Sequence, residues 1–248
     1  MTVNPAAKLI AAALLAVCLV LTLDPVSAGT AIVLELLLLP LLRIPPRTFW
    51  LRTVPIWIAA PLTGLTIALY GQPSGHVWFQ WFLIRVTDGS LELALATVLR
   101  VIAIALPAVA LFITVDPTDL ADGLAQTLHL PARFVLGALA GTRLIGLAVA
   151  DWRTVALARR ARGVSDRNPF SRLFGTGFAL LVLSIRRGST LATAMEGRGF
   201  GAPIRRTWAR PARWGAREWV MAGIGLGIGV ASLAAAALAG TWRLIFSG

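Results

Sequence analysis

The stretch from Trp219 to Gly240, WVMAGIGLGIGVASLAAAALAG, contains no charged residue. About 20 consecutive apolar residues, rising 1.5 Å each as a helix, cross the ~30 Å hydrocarbon core of a bilayer. This stretch therefore predicts a transmembrane helix. The rest of the chain predicts more of them. Of 248 residues, 57% are hydrophobic and 14% charged, where a soluble domain carries about a quarter charged residues. The composition is that of a polytopic membrane protein.

Four further apolar runs precede it. Residues 6–23 end at Asp24-Pro25, and residues 26–42 carry Glu35. Residues 54–70 hold Pro55, Pro61 and Gly64, so kinks are expected where neighbouring helices re-satisfy the backbone. Residues 91–115 include Glu92, Arg100 and Pro107. The Trp- and Phe-rich run 76–84 is too short to span and reads as an interfacial or re-entrant piece. Lys8, the apolar run 9–23 and Val26-Ser27-Ala28 also fit a cleaved secretory signal. Because another long apolar run follows almost at once, residues 6–23 read instead as a first span.

Charge sets the orientation. Sixteen of the arginines and six of the acids fall within residues 116–217, which hold +10 of the net +12. A basic block beside spans is a cytoplasmic segment, and Arg43, Arg47 and Arg52 fall on the same side. The N-terminus is then inside and the C-terminus outside. High basicity also suits nucleic acid, but apolar runs at 134–139 and 178–183 interrupt the block and argue against it. One cysteine, Cys18, and two distant histidines, His76 and His129, supply neither a disulfide framework nor a metal cluster. No catalytic residue, metal or cofactor is expected. The organisation read from these patterns is a four-span region (1–115), a cytoplasmic helical region (116–217), and a last span with a short tail (218–248).

The cytoplasmic region is patterned as helices. Asp116-Pro117-Thr118-Asp119 is a helix start, with a capping acid, a proline suited to the first turn, and acids at the positive end of the dipole. That short helix should stop near Leu130-Pro131. A long one runs from about Pro131 to Arg162, where Gly163 supplies a left-handed stop. Asn168-Pro169 starts another, ending near Gly199. Each long helix would measure roughly 45 Å, and both are apolar enough to pack on each other and on the cytoplasmic faces of the spans. Gly137 and Gly141, and the overlapping set Gly223, Gly225, Gly227 and Gly229, are spaced for close helix contact. The run Arg205-Arg206-Thr207-Trp208-Ala209-Arg210, with Arg213-Trp214 and Arg217-Glu218-Trp219, alternates cations with indoles and reads as a headgroup anchor. Glu35, Glu92 and Arg100 lie in or near spans. They read as charges that pair inside the bundle or snorkel.

Both long helices end in an arginine followed by glycine: Ala161-Arg162-Gly163 and Gly197-Arg198-Gly199. The last carbonyls of a helix lack partners and carry partial negative charge, so arginine is favoured there. The glycine after it turns the chain away without steric cost. A small residue before it permits close approach, and guanidinium suits a bidentate pair with a carboxylate. Two such tips in one polar block point to docking on an acidic partner protein.

This arrangement resembles the transmembrane T component of energy-coupling factor (ECF) transporters, the CbiQ-type permease family. The resemblance covers nearly the whole chain. It runs from Asn4-Pro5-Ala6-Ala7-Lys8-Leu9 through Thr114-Val115-Asp116-Pro117-Thr118-Asp119-Leu120 and His129-Leu130-Pro131. It is strongest at Arg159-Arg160-Ala161-Arg162-Gly163 and Ala194-Met195-Glu196-Gly197-Arg198-Gly199-Phe200. It implies an all-α membrane protein of about five transmembrane helices, with two long crossed coupling helices and one short helix in the cytoplasm. It further implies a scaffold in the inner (plasma) membrane that joins two cytoplasmic ATPases, alike or different, to a separate substrate-binding S component for a vitamin or transition-metal ion. By the match Arg162 and Arg198 each pair with an acidic residue of one ATPase. One departure stands out: Gly197 occupies a position usually held by Ala or Ser, which costs the last turn up to ~1 kcal/mol and predicts a looser second tip.

The chain has no G-x-x-x-x-G-K-[ST] segment, and its one lysine is Lys8, so ATP hydrolysis is expected from the partners and not from this chain. A polytopic enzyme acting on a lipid or isoprenoid substrate is the rival reading. It would call for clustered acids or a His/Ser/Cys constellation, and the acids here are scattered. A self-sufficient transporter would show broken helices in matched halves, which are absent from the pattern.

Overall fold

The computed structural model describes residues 3–22, 24–42, 44–71, 74–81, 84–163, 168–202 and 207–240. The chain divides into two compact units, Met1–Asp116 with Arg213–Gly248, and Pro117–Ala212.

The first unit is a bundle of α1 (Pro5–Val20), α2 (Pro25–Leu38), α3 (Pro46–Tyr70), α4 (Asp88–Ile113) and α8 (Ala216–Leu238). Helix starts are set by local chemistry. Asn4 accepts from Ala6 N at 3.0 Å, Asp24 accepts from Ser27 N at 2.8 Å, and Thr87 forms a capping box with Ser90. In each of the first three helices a proline stands at the first turn, where its missing N–H costs nothing. A 3₁₀ turn, Leu39–Leu42, follows α2.

Small residues decide which helices touch. A Cβ placed on Gly225 would lie 2.3 Å from Ala11 O, and one on Gly229 would lie 2.7 Å from Cys18 Cβ. Gly223 and Gly227 have nothing within 4 Å. Of the overlapping glycine pairs, then, one packs α8 on α1 and the other faces away from it. On α3, Gly64 meets Val98 and the Ala94 carbonyl of α4 in the same manner. Gly225→Val should accordingly force α8 off α1 and lower the melting temperature in detergent, at a cost at the upper end of the ~1–3 kcal/mol typical of overpacking or above it. Gly223→Val, in open space, should melt as the wild type does; equal melting of both variants would contradict the packing assignment. The core itself is two clusters, Phe49, Ile56, Ala60, Ile102, Leu106 and Ala110 in one, and Leu15, Leu19, Ala31 and Ala103 in the other.

The structure refines three expectations in this unit. α1 and α2 are 16 and 14 residues long, short of the ~20 that span a bilayer straight, although Leu19 and Ala31 sit at the heart of the bundle. The run 76–84, expected as an interfacial or re-entrant piece, contributes strand residues. Val77–Trp81 and Ile84–Thr87 pair as an antiparallel hairpin, β1–β2, whose base is held by Asp88 accepting from Trp78 Nε1 at 2.5 Å and His76 N at 3.2 Å. Third, Glu35 is buried but pairs with no described residue, while Glu92 is exposed. Arg100 is half-buried with one guanidinium nitrogen lacking a hydrogen bond, in electrostatic reach of Asp24. Asp24 itself is 1% exposed and accepts from Ser27 N and Oγ, and Ser27 Oγ also bonds Thr22 Oγ1.

The second unit holds α5 (Pro117–Gln126), α6 (Ala132–Ala161) and α7 (Pro169–Gly197). Ala121, Ala125 and Val135 form its buried cluster, with Trp208 packed against it. The strap after α7 is fastened by Gln126, which donates to Arg210 O at 2.8 Å and accepts from Ala212 N at 2.8 Å. Of the alternating Arg/Trp run, Trp208 is half-buried against this cluster. Arg205 and Arg206 lie outside the described residues, and Trp219 is 67% exposed. Gly137 and Gly141 have nothing within 4 Å among the described residues, so no close helix contact is made there within this chain's described part.

Among the described residues five helices are long and apolar enough to cross a membrane: Pro46–Tyr70, Asp88–Ile113, Ala132–Ala161, Phe170–Gly197 and Ala216–Leu238. The number matches the sequence reading but the membership differs. Length and apolarity select α6 and α7, which charge and motif assign to the cytoplasm, and pass over α1 and α2.

Candidate functional site

The two arginine tips terminate α6 and α7. At the first, Ala161 is the last residue of α6, Arg162 caps it, and Gly163 N donates to Arg160 O at 3.1 Å with Gly163 at φ +67°. At the second, Gly197 closes α7 and Arg198 caps it. Gly199 N then donates to Glu196 O at 2.9 Å and Phe200 N to Met195 O at 2.9 Å, with Gly199 at φ +80°. This is the paired bonding of a Schellman stop, and a positive φ is why glycine stands at both stops. The bond from Phe200 N is one that the first tip is not shown to make. Arg162 and Arg198 are both exposed, and neither forms an ion pair with another described residue.

Between the tips lies an ion pair that the sequence reading did not single out. Arg187 of α7 donates to Asp151 of α6 through both terminal nitrogens, with Nη2 to Oδ1 at 3.0 Å and Nη1 on Oδ2. The fork geometry fixes orientation as well as proximity. Nearer the turn joining the helices, the guanidinium of Arg159 lies over Gly175, where a Cβ would come within 2.9 Å of Nη1. Contacts at 151–187 and 159–175 run in opposite senses along the two helices, so α6 and α7 lie antiparallel where they meet.

The arms beyond the pair are equal. Arg162 follows Asp151 by eleven residues, and Arg198 follows Arg187 by eleven. At 1.5 Å per residue each tip stands roughly 16 Å along its helix from the clamp. Because the helices run in opposite senses, the tips leave toward opposite ends of the pair. The signal was available in the sequence, since the 36-residue separation of Asp151 and Arg187 equals that of the two tips. Only the fold gives it meaning.

Alongside the Arg198 arm lies a groove of about 830 Å³ between the first half of α6 and the last half of α7. Leu139, Leu144, Leu147, Leu183 and Leu191 line it, with Arg143 and Arg198 also in its walls. The outer faces of both helices are equally bare. Val135 on α6 and Thr176 on α7 are the buried residues among those described, while Phe170, Phe174, Phe178 and Ile185 stand exposed. Exposed apolar surface on this scale marks a protein or membrane contact. Among the described residues no group of three or more His, Cys, Asp or Glu side chains is placed to hold a metal ion.

A bundle of apolar helices with uncovered apolar faces and cationic tips defines an α-helical multi-pass membrane protein. Residues 1–208 match the family model CbiQ, described as cobalt transport protein, and the chain belongs to that family. Among its relatives is the energy-coupling factor transporter transmembrane protein of Limosilactobacillus fermentum, 29% identical over 187 residues, 69% of this chain and 68% of that one. The protein of the same name from Bacillus selenitireducens is 27% identical over 230 residues, 88% of this chain and 85% of that one. That of Brevibacillus brevis is 25% identical over 201 residues, covering 76% and 73%.

Proposed function

We propose that this chain is the T component of an ECF importer. In this reading it sits in the plasma membrane with its N-terminus in the cytoplasm. It links two cytoplasmic ATPases to a membrane-embedded S component that carries the substrate. Arg162 and Arg198, each flanked by a small residue and a left-handed glycine, enter acidic sockets on the ATPases. The observation that carries the reading is the pair of equal arms about the Asp151–Arg187 clamp. Two tips held at equal distances from one crossing point suit two related motors that approach each other when they bind ATP. Movement of either tip is conveyed through the clamp, because stiff helices pinned by a bidentate pair turn together. The apolar groove and the bare faces of α6 and α7 offer the S component a surface to bind and be reoriented on. The chain contributes scaffold and leverage, and its partners contribute hydrolysis and substrate choice.

Coexpression with a pair of ECF ATPases and an S component tests this. The expected result is a co-eluting membrane complex that hydrolyses ATP and takes up substrate, and an isolated chain that does neither. Failure of the ATPases to associate would overturn the proposal.

A further inference from the structure

Within the first unit, α1, α2, α4, α8 and the 3₁₀ turn line a cavity of about 200 Å³ that opens at its side, where Leu41 is 72% exposed. Its walls include Leu15, Leu106, Ile228 and Ala12, and its one ionisable wall residue is Glu35. Glu35 is 5% exposed, and both carboxyl oxygens are buried without a hydrogen-bond partner among the described residues. It lies three residues before the end of α2, level with the beginnings of α1 and α8 and the end of α4. The site is therefore within about two turns of one end of the bundle.

A buried carboxyl without a donor is costly, and the cost is relieved by whatever brings donors to it. The surroundings restrict what that is. A hard metal cation takes six or more oxygens, and these walls offer one carboxyl amid hydrocarbon. A neutral alcohol brings a single donor and no charge. An ammonium group brings up to three donors and a positive charge that favours the ionised carboxylate, which hydrocarbon alone disfavours, while its alkyl portion meets the apolar walls. The volume falls below the ~300–1,000 Å³ of pockets for drug-sized ligands, which limits the guest to a short chain. The one cation of α1 is already engaged. Lys8 stands on the same stripe of α1 as Ala11, Ala12 and Leu15, but its Nζ donates to Thr114 Oγ1 at 2.5 Å and Thr114 O at 3.4 Å.

We infer that this cavity is a binding site for a small lipophilic ammonium compound, with its N–H groups on Glu35 and its alkyl chain against Leu15, Leu106 and Ile228. The inference does not rest on the transport reading, and it is tested on the full chain in detergent micelles without partners. Titration with n-butylammonium and with n-butanol, followed by saturation-transfer NMR and calorimetry, should show at least a tenfold preference for the ammonium. Glu35→Gln, which keeps the shape, should erase that preference. Ala12→Phe, which fills the cavity and leaves Glu35 in place, should abolish binding of both probes. An ammonium preference that survives in Glu35→Gln, or full binding to Ala12→Phe, would assign the probe to the micelle or the protein surface and overturn the site.

Discussion

Replacing Arg162 and Arg198 together with glutamate is expected to abolish both ATPase copurification and ATP-driven uptake. Truncating one partner of an interfacial charge pair costs about 2–5 kcal/mol, much of it from the partner charge left unpaired. Reversal adds repulsion between the new glutamate and the acidic socket. At 1.4 kcal/mol per tenfold, each single reversal should weaken association roughly 30-fold or more. The tips stand roughly 16 Å from the clamp in opposite directions, beyond the ~7–10 Å over which substitutions couple directly. The two losses should therefore add, and each single variant should retain the other ATPase. Quantitative pull-down of each ATPase from cells carrying the single and double variants reads this out. Full recovery of both ATPases and normal uptake with the double variant would remove the docking role.

Breaking the clamp should have a different signature. Asp151→Ala leaves Arg187 without its bidentate partner. The side chains are 41% and 19% exposed, so solvent screening reduces the structural cost to about 1–2 kcal/mol, between exposed and buried pairs. That is a modest loss of stability but a large loss of leverage, because α6 and α7 touch at few other points. Uptake is expected to fall tenfold or more while both ATPases still copurify. Exchanging the charges, Asp151→Arg with Arg187→Asp, should restore much of the uptake. A structural role alone would lower the amount of assembled complex in proportion to uptake. Measuring both quantities on one preparation separates the two cases, and undiminished uptake per complex in Asp151→Ala would exclude the clamp from coupling.

The legible parts of this chain are those written in local interactions. Helix ends are an example: α6 and α7 were expected over about 131–162 and 169–199 and are found at Ala132–Ala161 and Pro169–Gly197. Asn168 accepting from Phe170 N starts α7, and Gly163 and Gly199 at positive φ stop the two helices. Each of these is an interaction within one turn of its own residue, so nearest neighbours are enough to predict it. The hairpin at β1–β2 was missed for a related reason. Its aromatic run lacks clear alternation, and its fastening is a pair of bonds that Asp88 accepts from His76 and Trp78 across the hairpin, beyond the reach of nearest-neighbour rules.

What residue order determined about this protein is its membrane class, its helix ends and the presence of two arginine tips, all of which follow from hydropathy and short-range bonding. Tertiary structure alone decided which partner each side chain meets. It set Gly225 against Ala11 while leaving Gly223 in open space, pinned α6 to α7 through Asp151 and Arg187, and enclosed Glu35 without a donor. The physical reason is that apolar helices with similar faces have many near-equivalent ways to pack. The choice among them rests on close contacts and charge pairs between residues far apart in the chain.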